Sequence, residues 1–408
     1  MAKQLGKNIL VAFKVEASEN VAPGTGSATQ MRLNPGSGLR LLKAYIESQE
    51  VRSDGMTVIG RHGSRSVDGS YPAEMSLGSH DEIYQAVVRS TTTAAVAVTQ
   101  ATASLASITF GTNTVVATST STGSGFLQAG FRVGDVFRVS GTTGGVNDTK
   151  QARVGAVTTH TMTVLGTSVF TAEATAITTF TLTIGKKLKN NPTAPTRRTY
   201  YLQQYYTDID QAEVFGGCRW TGFRIRGTPN GMAEVEFSVM GMSQDALATG
   251  SSPYYISPTA FTTDPLVFAD AVVSFGGTDI VVATAFELNY AMTAQSLEVI
   301  GSSNSGGVFE NEARITGSIS ILAEDLTNID RFADETELEL HILLTEPDAS
   351  PPKDYISLFV PRLKLSGAEK PLGQDGPMIV TMPFTAGIKG TTTGYDAPNM
   401  FTMLTSAS

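Results

Sequence analysis

The side chains able to do acid–base, nucleophilic or metal chemistry are few and scattered. His62, His80, His160 and His341 are the groups that exchange protons near neutral pH. None stands at zinc-ligand spacing or beside a catalytic partner set, so each is expected at a surface or a sheet edge. Cys218 is the single cysteine, in Gly216-Gly217-Cys218-Arg219-Trp220. A nucleophile there would lean on Arg219, but a buried small hydrophobe at a strand start is the better reading. Asp208 and Asp210 have the D-x-D spacing that opens a calcium loop, without the later Gly and bidentate Glu. Gly141 to Lys150 is glycine-rich and ends in lysine, yet no second Gly precedes that lysine as a phosphate loop requires; a β-turn is expected. A carbohydrate-active enzyme of β architecture would need paired carboxylates and aromatic platforms, and one Trp with no convincing acid pair argues against it. Arg224, Arg226 and Lys364 are too few for a nucleic-acid strip and are expected to pair with acidic strands such as Glu234-Val235-Glu236. No catalytic residue, metal ligand or cofactor site is assigned, and no cofactor is expected.

The elements that would carry these residues read as strands. Val-, Thr- and aromatic-bearing runs are broken by clusters drawn from 40 Gly, which favours many short strands over a helical protein. A net charge of −9 disfavours a wrapped nucleic-acid partner and suits a surface past which DNA slides without sticking. One cysteine excludes an intrachain disulfide framework. No run of about 18 apolar residues reads as a membrane span, and Met1 to Leu10 lacks the apolar stretch of a secretory signal, so synthesis in a cytoplasm is expected.

An internal similarity organises the chain. Ala73, Met75 and Leu77 alternate like a core-facing strand; Ser79 with Glu82 forms an S-x-x-E capping box; Ile83, Ala86 and Val87 share a helical face. Ile319, Ile321 and Ala323, then Asp325, then Ile329, Phe332 and Ala333 repeat that order about 246 residues later (325 minus 79). Phe223 to Gly227 matches Leu363 to Gly367 at a shift of about 140, and Val235, Phe237 and Val239 alternate as Val380, Met382 and Phe384 do. The difference between the shifts implies an insertion of about 100 residues, and residues 91–184 are poor in charge and dense in Thr, Ala, Ser and Val. Pro192 and Pro195 are expected to close that insert. Glu337 to Leu344 reads as a half-buried strand and Tyr200 to Tyr206 as an aromatic one. Gly301 to Gly307 reads as an exposed loop, with Gly60 to Gly69 its counterpart.

A helix flanked by strands, in a copy that also holds a long polar loop, resembles the tail-tube fold of long-tailed, siphovirus-like bacteriophages. The resemblance spans about 300 residues outside the insert and rests on pattern and order. It implies a mainly β chain: two tail-tube-like β-sandwich domains, each with a short flanking helix, plus an inserted small β-barrel. The expected boundaries are 1–90 with 185–250 for the first domain, 91–184 for the insert and 251–408 for the second domain. The insert itself resembles small barrel modules that decorate phage tail proteins, through Phe126, Gly130, Phe131, Val133, Gly134, Asp135, Val139, Ser140 and Gly141. It is expected to project outward from the tube.

The resemblance also implies a virion structural protein, assembled in the bacterial host cytoplasm. Its chief partner would be itself, in homotrimeric rings that imitate six-fold symmetry and stack into a tube. Tape-measure and tail-terminator proteins would be further partners, and DNA would pass through without specific binding. Open sheet edges would supply the ring contacts. Gly60, Gly63, Gly69, Gly301, Ser302, Asn304 and Gly307, with an N-terminal arm from Ala28 to Ser53, are the expected assembly segments. Glu234, Glu236, Glu337 and Glu339 are the expected lumen-facing acids. The rival reading is a receptor-binding or fibre-type adhesin, against which the lack of long fibrous repeats argues.

Overall fold

The computed structural model describes residues 3–36, 38–119, 124–346, 350–369 and 376–406. The chain is mainly β. It opens with β1 (Ile9–Val15), β2 (Thr29–Gln30), β3 (Gly38–Ile46), β4 (Arg61–Glu74) and helix α1 (Asp81–Val88). There follow β5 (Val96–Thr99), α2 (Gln100–Ala103), β6 (Leu105–Phe110), β7 (Thr114–Ser119), β8 (Val136–Ser140), β9 (Gln151–Val157), β10 (Thr161–Leu165), β11 (Glu173–Ile177) and β12 (Thr181–Ile184). Then come β13 (Lys186–Lys189), β14 (Tyr200–Tyr206), β15 (Gln211–Gly227), β16 (Glu234–Gly241) and β17 (Ser243–Leu247). The remainder holds β18 (Val272–Phe275), β19 (Thr278–Ile280), β20 (Ala283–Ser296), β21 (Val308–Leu322), α3 (Thr327–Ala333), β22 (Leu338–Thr345), β23 (Tyr355–Leu365), β24 (Ile379–Ala386) and β25 (Thr402–Thr405).

Outside β5 to β12, one pairing scheme occurs twice. The first set is β1–β2, β1–β14, β3–β4, β4–β16, β14–β15, β15–β16 and β15–β17, all antiparallel. The second is β18–β19, β18–β22, β20–β21, β21–β24, β22–β23, β23–β24 and β23–β25, in the same order. Even the irregularities recur. A bulge between Lys43 and Tyr45, opposite Arg65 and His62, returns between Met292 and Ala294, opposite Ala313 and Glu310. Another, between Tyr200 and Leu202 opposite Cys218 and Phe215, returns between Leu338 and Leu340 opposite Leu363 and Val360.

These landmarks put Ala313 in the place of Arg65, a shift of 248 (313 minus 65), and Leu363 in the place of Cys218, a shift of 145 (363 minus 218). The side-chain patterns had pointed to about 246 and about 140. A bulge between Trp220 and Gly222 reverses the in–out alternation part-way along β15, so periodicity alone misplaces the register there. The same correspondence places Gly317 on Gly69, and both glycines are required by close approach. A Cβ on Gly69 would lie 2.3 Å from the Gly38 carbonyl oxygen, and one on Gly317 would lie 2.3 Å from that of Glu287.

Helix α1 buries Ile83, Tyr84, Ala86, Val87 and Val88, and the Tyr84 ring meets Phe223 and Phe237 edge-on with centroids 5.2 and 5.4 Å away. The expected capping box is absent. The Ser79 hydroxyl sits 2.6 Å from Ser76 Oγ, and the helix starts one residue later, at His80, with no side-chain cap. In α3 the Asp325 carboxylate accepts the Thr327 N–H at 2.9 Å. None of its residues is buried, and Phe332, expected on a core face, is exposed.

Strands β5 to β12 form their own eight-stranded antiparallel sheet around Phe126, Phe131, Phe137 and Phe170. The ladder runs from β11 to β5, and no pairing among the described residues joins those ends. This unit does not stand clear of the rest. Its core also takes in Leu343, Tyr355, Phe359 and Leu404. Strand β22 is consequently buried on both faces: His341 and Leu343, read as its solvent side, are covered. Gly134 shows how close the seat is, because its φ is +88° and a Cβ there would meet Phe359 at 2.2 Å. The buried Asp135 lies 2.5 Å from Lys187 Nζ, which also binds Asp396 at 2.9 Å, tying the unit to the strand that leaves it. Pro192 and Pro195 do not close the insert; they follow β13, which pairs with β25 of the other sheet network.

Candidate assembly surfaces

Two long hairpins carry clusters of exposed apolar side chains. In the first, β3 and β4 are joined by residues 47–60, and large apolar side chains stand in water: Tyr45, Ile46, Val51, Met56 and Ile59. The second joins β20 and β21 through residues 297–307 and exposes Leu297, Val299, Ile300 and Phe309. Isolated exposed apolar residues are ordinary, but clusters at the ends of hairpins mark contact surfaces.

The expected loop from Gly60 to Gly69 is not a loop. Only Gly60 precedes β4; Gly63 and Gly69 lie within the strand, where Gly69 faces Leu39. Alternation of small and polar residues along Arg61–Ser70 hid a strand with a β neighbour on each side of its inner part. The arm from Ala28 to Ser53 likewise contains β2 and β3. Gly301 and Gly307 are at positive φ in the second connection, and the Ser302 hydroxyl donates to the Asn304 carbonyl at 2.9 Å.

The structure brings the two segments together. The Arg65 N–H donates to the Ser303 carbonyl at 3.0 Å, the Ser305 N–H donates to the Arg65 carbonyl at 3.1 Å, and the Arg65 guanidinium donates to the Asn304 side chain. The second hairpin therefore leans on the first through a short strand-like contact that uses the β4 edge just past the end of β16. Arg65 carries no sequence signal for this role; the repeated bulge beside it is what marks the position.

Besides that contact, the two pairing sets are joined strand to strand by β15 and β20. Gly222–Gly227 of β15 pairs with Ala291–Phe286 of β20. Its core face carries Phe223, Ile225, Leu288 and Tyr290. Its other face carries Arg224, Arg226 and Glu287, with Arg224 2.7 Å and Arg226 3.6 Å from the Glu287 carboxylate. Those arginines had been expected to bind Glu234 and Glu236. Both acids do lie opposite them in the ladder, but Glu236 accepts from the Ser70 hydroxyl at 2.7 Å instead. Lys364 pairs with Glu335 at 3.1 Å. The four acidic candidates are not gathered on one face. Glu234 and Glu236 sit on β16, whereas Glu337 binds Arg362, which holds its carboxyl below the usual range. Burial raises the pKa of Glu339, which accepts from the Tyr395 hydroxyl at 3.1 Å.

Among the described residues the corresponding edges at the far ends of the sheet have no partner strand. Among the described residues β3 pairs with β4 alone. By the 145-residue correspondence, Gly222 and Arg224 fall on Gly367 and Glu369, and Glu369 continues the ladder to Thr381. By the bulge of β3, Asn289 falls on Arg40. Arg40 and Glu369, opposite in charge, are both exposed.

Chemistry is hard to find. His80 and His341 are buried, contrary to the expectation for all four histidines, and burial pushes them down to about 4 and about 3; His62 and His160 are exposed. His341 Nε2 lies 2.7 Å from Ser357 Oγ, but both are sealed between the insert and its seat, out of reach of a substrate. The Cys218 thiol, also buried, lies inside β15 rather than at its start, and burial pushes its pKa up. No group of three acidic, His or Cys side chains among the described residues could hold a metal. Asp208 instead accepts from the Leu5 N–H and the Asn8 side chain, both at 2.8 Å. No helix among them is long and apolar enough to cross a membrane.

A family model described as phage tail tube protein matches residues 6–386. No curated protein matches the chain.

Proposed function

The chain belongs to the phage tail tube protein family, and from that premise we propose that it polymerises into stacked rings forming the tail tube, the conduit through which DNA leaves the virion. The carrying observation is the junction of β15 with β20. It joins two copies of one pairing scheme inside a chain, and among the described residues the same two edges recur without a further partner at β3 and at Gly367–Glu369, just past β23. Joining Gly367–Glu369 of one chain to Arg40–Leu42 of the next repeats the internal junction between molecules and removes both edges. Rotation at each step closes the ring. Three chains with two copies each give six equivalent positions.

In this reading residues 1–90 with 185–250 and residues 251–408 are two tube domains, and 91–184 is a decoration module seated on the second. Tape-measure and tail-terminator proteins are the further partners. The polar face of the junction, with Glu234, Glu236 and the Arg224–Glu287 pair, lines the lumen. Its charges are mixed and largely satisfied, which suits passage of DNA without capture. The exposed tips around Val51 and Ile300 contact the next ring. The virion tail is the site of action, after assembly in the host cytoplasm, and no catalysis is involved.

A charge swap tests the junction. Arg40→Glu alone and Glu369→Arg alone place like charges across the new ladder and should suppress tube formation, while the double variant restores it. Single variants that assemble like the parent would remove this pairing from the account.

A further inference from the structure

The internal contact made by Ser303–Ser305 predicts where the other hairpin goes. That contact occupies the outer edge of β4 at Arg65, just past the end of β16. Ala313 takes the place of Arg65 on β21, with the same bulge beside it, just past the end of β24. There the edge borders an open groove of about 580 Å³ lined by Val88, Asn191, Pro192, Glu312, Ile388 and Met400. Nothing in the chain plays the part of Ser303–Ser305 at this place among the described residues. The segment corresponding to that loop is the connection 47–60 of the first hairpin. It stands free, with Val51 97% and Ile59 87% exposed. An unfilled groove and an unseated tip therefore remain, related to each other as the docked pair is related within the chain.

We propose that the 47–60 tip of a second copy of this chain seats in the groove beside Glu312–Arg314, its backbone pairing with Ala313 as Ser303–Ser305 pairs with Arg65. The inference rests on the ring reading and adds to it a second lateral contact, separate from the Arg40–Glu369 ladder. Hydrogen bonds from an extended segment to an exposed strand edge supply the attachment, and Met56 and Ile59 fill the apolar floor between Val88, Ile388 and Met400. The occupant is a neighbour in the same ring, because the contact it copies joins adjacent tube units side by side. The hairpin tips then have two parts: the backbone near Asn304, or its counterpart near Met56, binds sideways, and the outermost apolar residues remain for stacking.

Cysteine pairs test the seat. Asn304 corresponds to about Met56 in the other connection, so Met56→Cys with Ala313→Cys should cross-link between chains on mild oxidation of assembled tubes, giving multimers that end at the ring size. Arg65→Cys with Asn304→Cys should close within the chain and give no multimers. Cys218, buried with a raised pKa, stays out of the reaction. Tubes that form normally in the microscope while the Met56/Ala313 pair stays monomeric would overturn the seat and leave the ring reading standing. Chains that neither form tubes nor cross-link, with the parent also failing to form tubes, would overturn both. A second variant guards against misfolding: Ile388→Glu changes an exposed residue on the groove wall and should raise the concentration needed for assembly about tenfold or more. An unchanged threshold contradicts the proposal.

Discussion

At the scale of residues, the informative groups are buried ones without a chemical task. His80 and His341 are held neutral by burial, beside Phe237 and Phe359 respectively, each with a cation nearby in Arg32 and Arg153. Their folded pKa values lie below the ordinary 6.5, so the unfolded chain binds more protons on acidification. The stability they contribute is complete well above pH 6.5 and is lost as the pH falls toward 4 and 3. Between pH 7.5 and 6.0 the two together should cost about 1.5 kcal/mol. Urea titration of unassembled protein checks this, and the variant His80→Gln/His341→Gln should lose most of that pH dependence. Asp135, raised to about 6 chiefly by burial, takes up protons within the same window and acts with the opposite sign, offsetting part of that loss in parent and variant alike. A slope unchanged in the variant would show that other groups set it. The sequence could not reveal these burials. His341 alternates with core leucines as a solvent-facing residue should, and becomes buried only because another unit settles on that face.

At the scale of elements, much was legible and the failures share a cause. The strands at Tyr200–Tyr206 and Leu338–Thr345 and the helix carrying Ile83 and Val87 follow from local periodicity. The connection at Gly301–Gly307 follows from its Gly, Ser and Asn content, although Ser305 and Gly307 in it are buried rather than exposed. What periodicity could not supply was register across a bulge and the company an element keeps. Gly63 and Gly69 looked like loop residues because glycine breaks strands in general; here Gly69 is demanded by the approach of the β3 backbone. The sequence of residues 91–184 does not show that Phe359 and Tyr355 belong to the core of that unit. Gly134 gives the direct test of that seat. Gly134→Ala puts a side chain at positive φ against Phe359 and should destabilise by about 1–3 kcal/mol. Amide exchange in β8, β22 and β23 should quicken with it. Exchange confined to the Gly134 turn would mean that the contact does not hold the unit in place.

At the scale of the whole molecule, the structure presents an unfinished sheet. One pairing scheme occurs twice, its two copies are fused edge to edge, and the outer edges correspond to the fused ones in residue position and carry opposite charges, Arg40 and Glu369. The four sequence matches lie in the same order as the recurring strand pairings. The ladder correspondence behind the proposed ring is not legible in the sequence, because it depends on bulges and on partners far apart in the chain. The central claim is that three chains close a ring by repeating the β15–β20 junction between molecules. Electron microscopy of the purified protein, with end-on views averaged at increasing concentration, measures it most directly. The account predicts hollow stacked rings built of three chains, with six similar inner units around each lumen. Discrete particles that never stack, or rings of six whole chains, would contradict it.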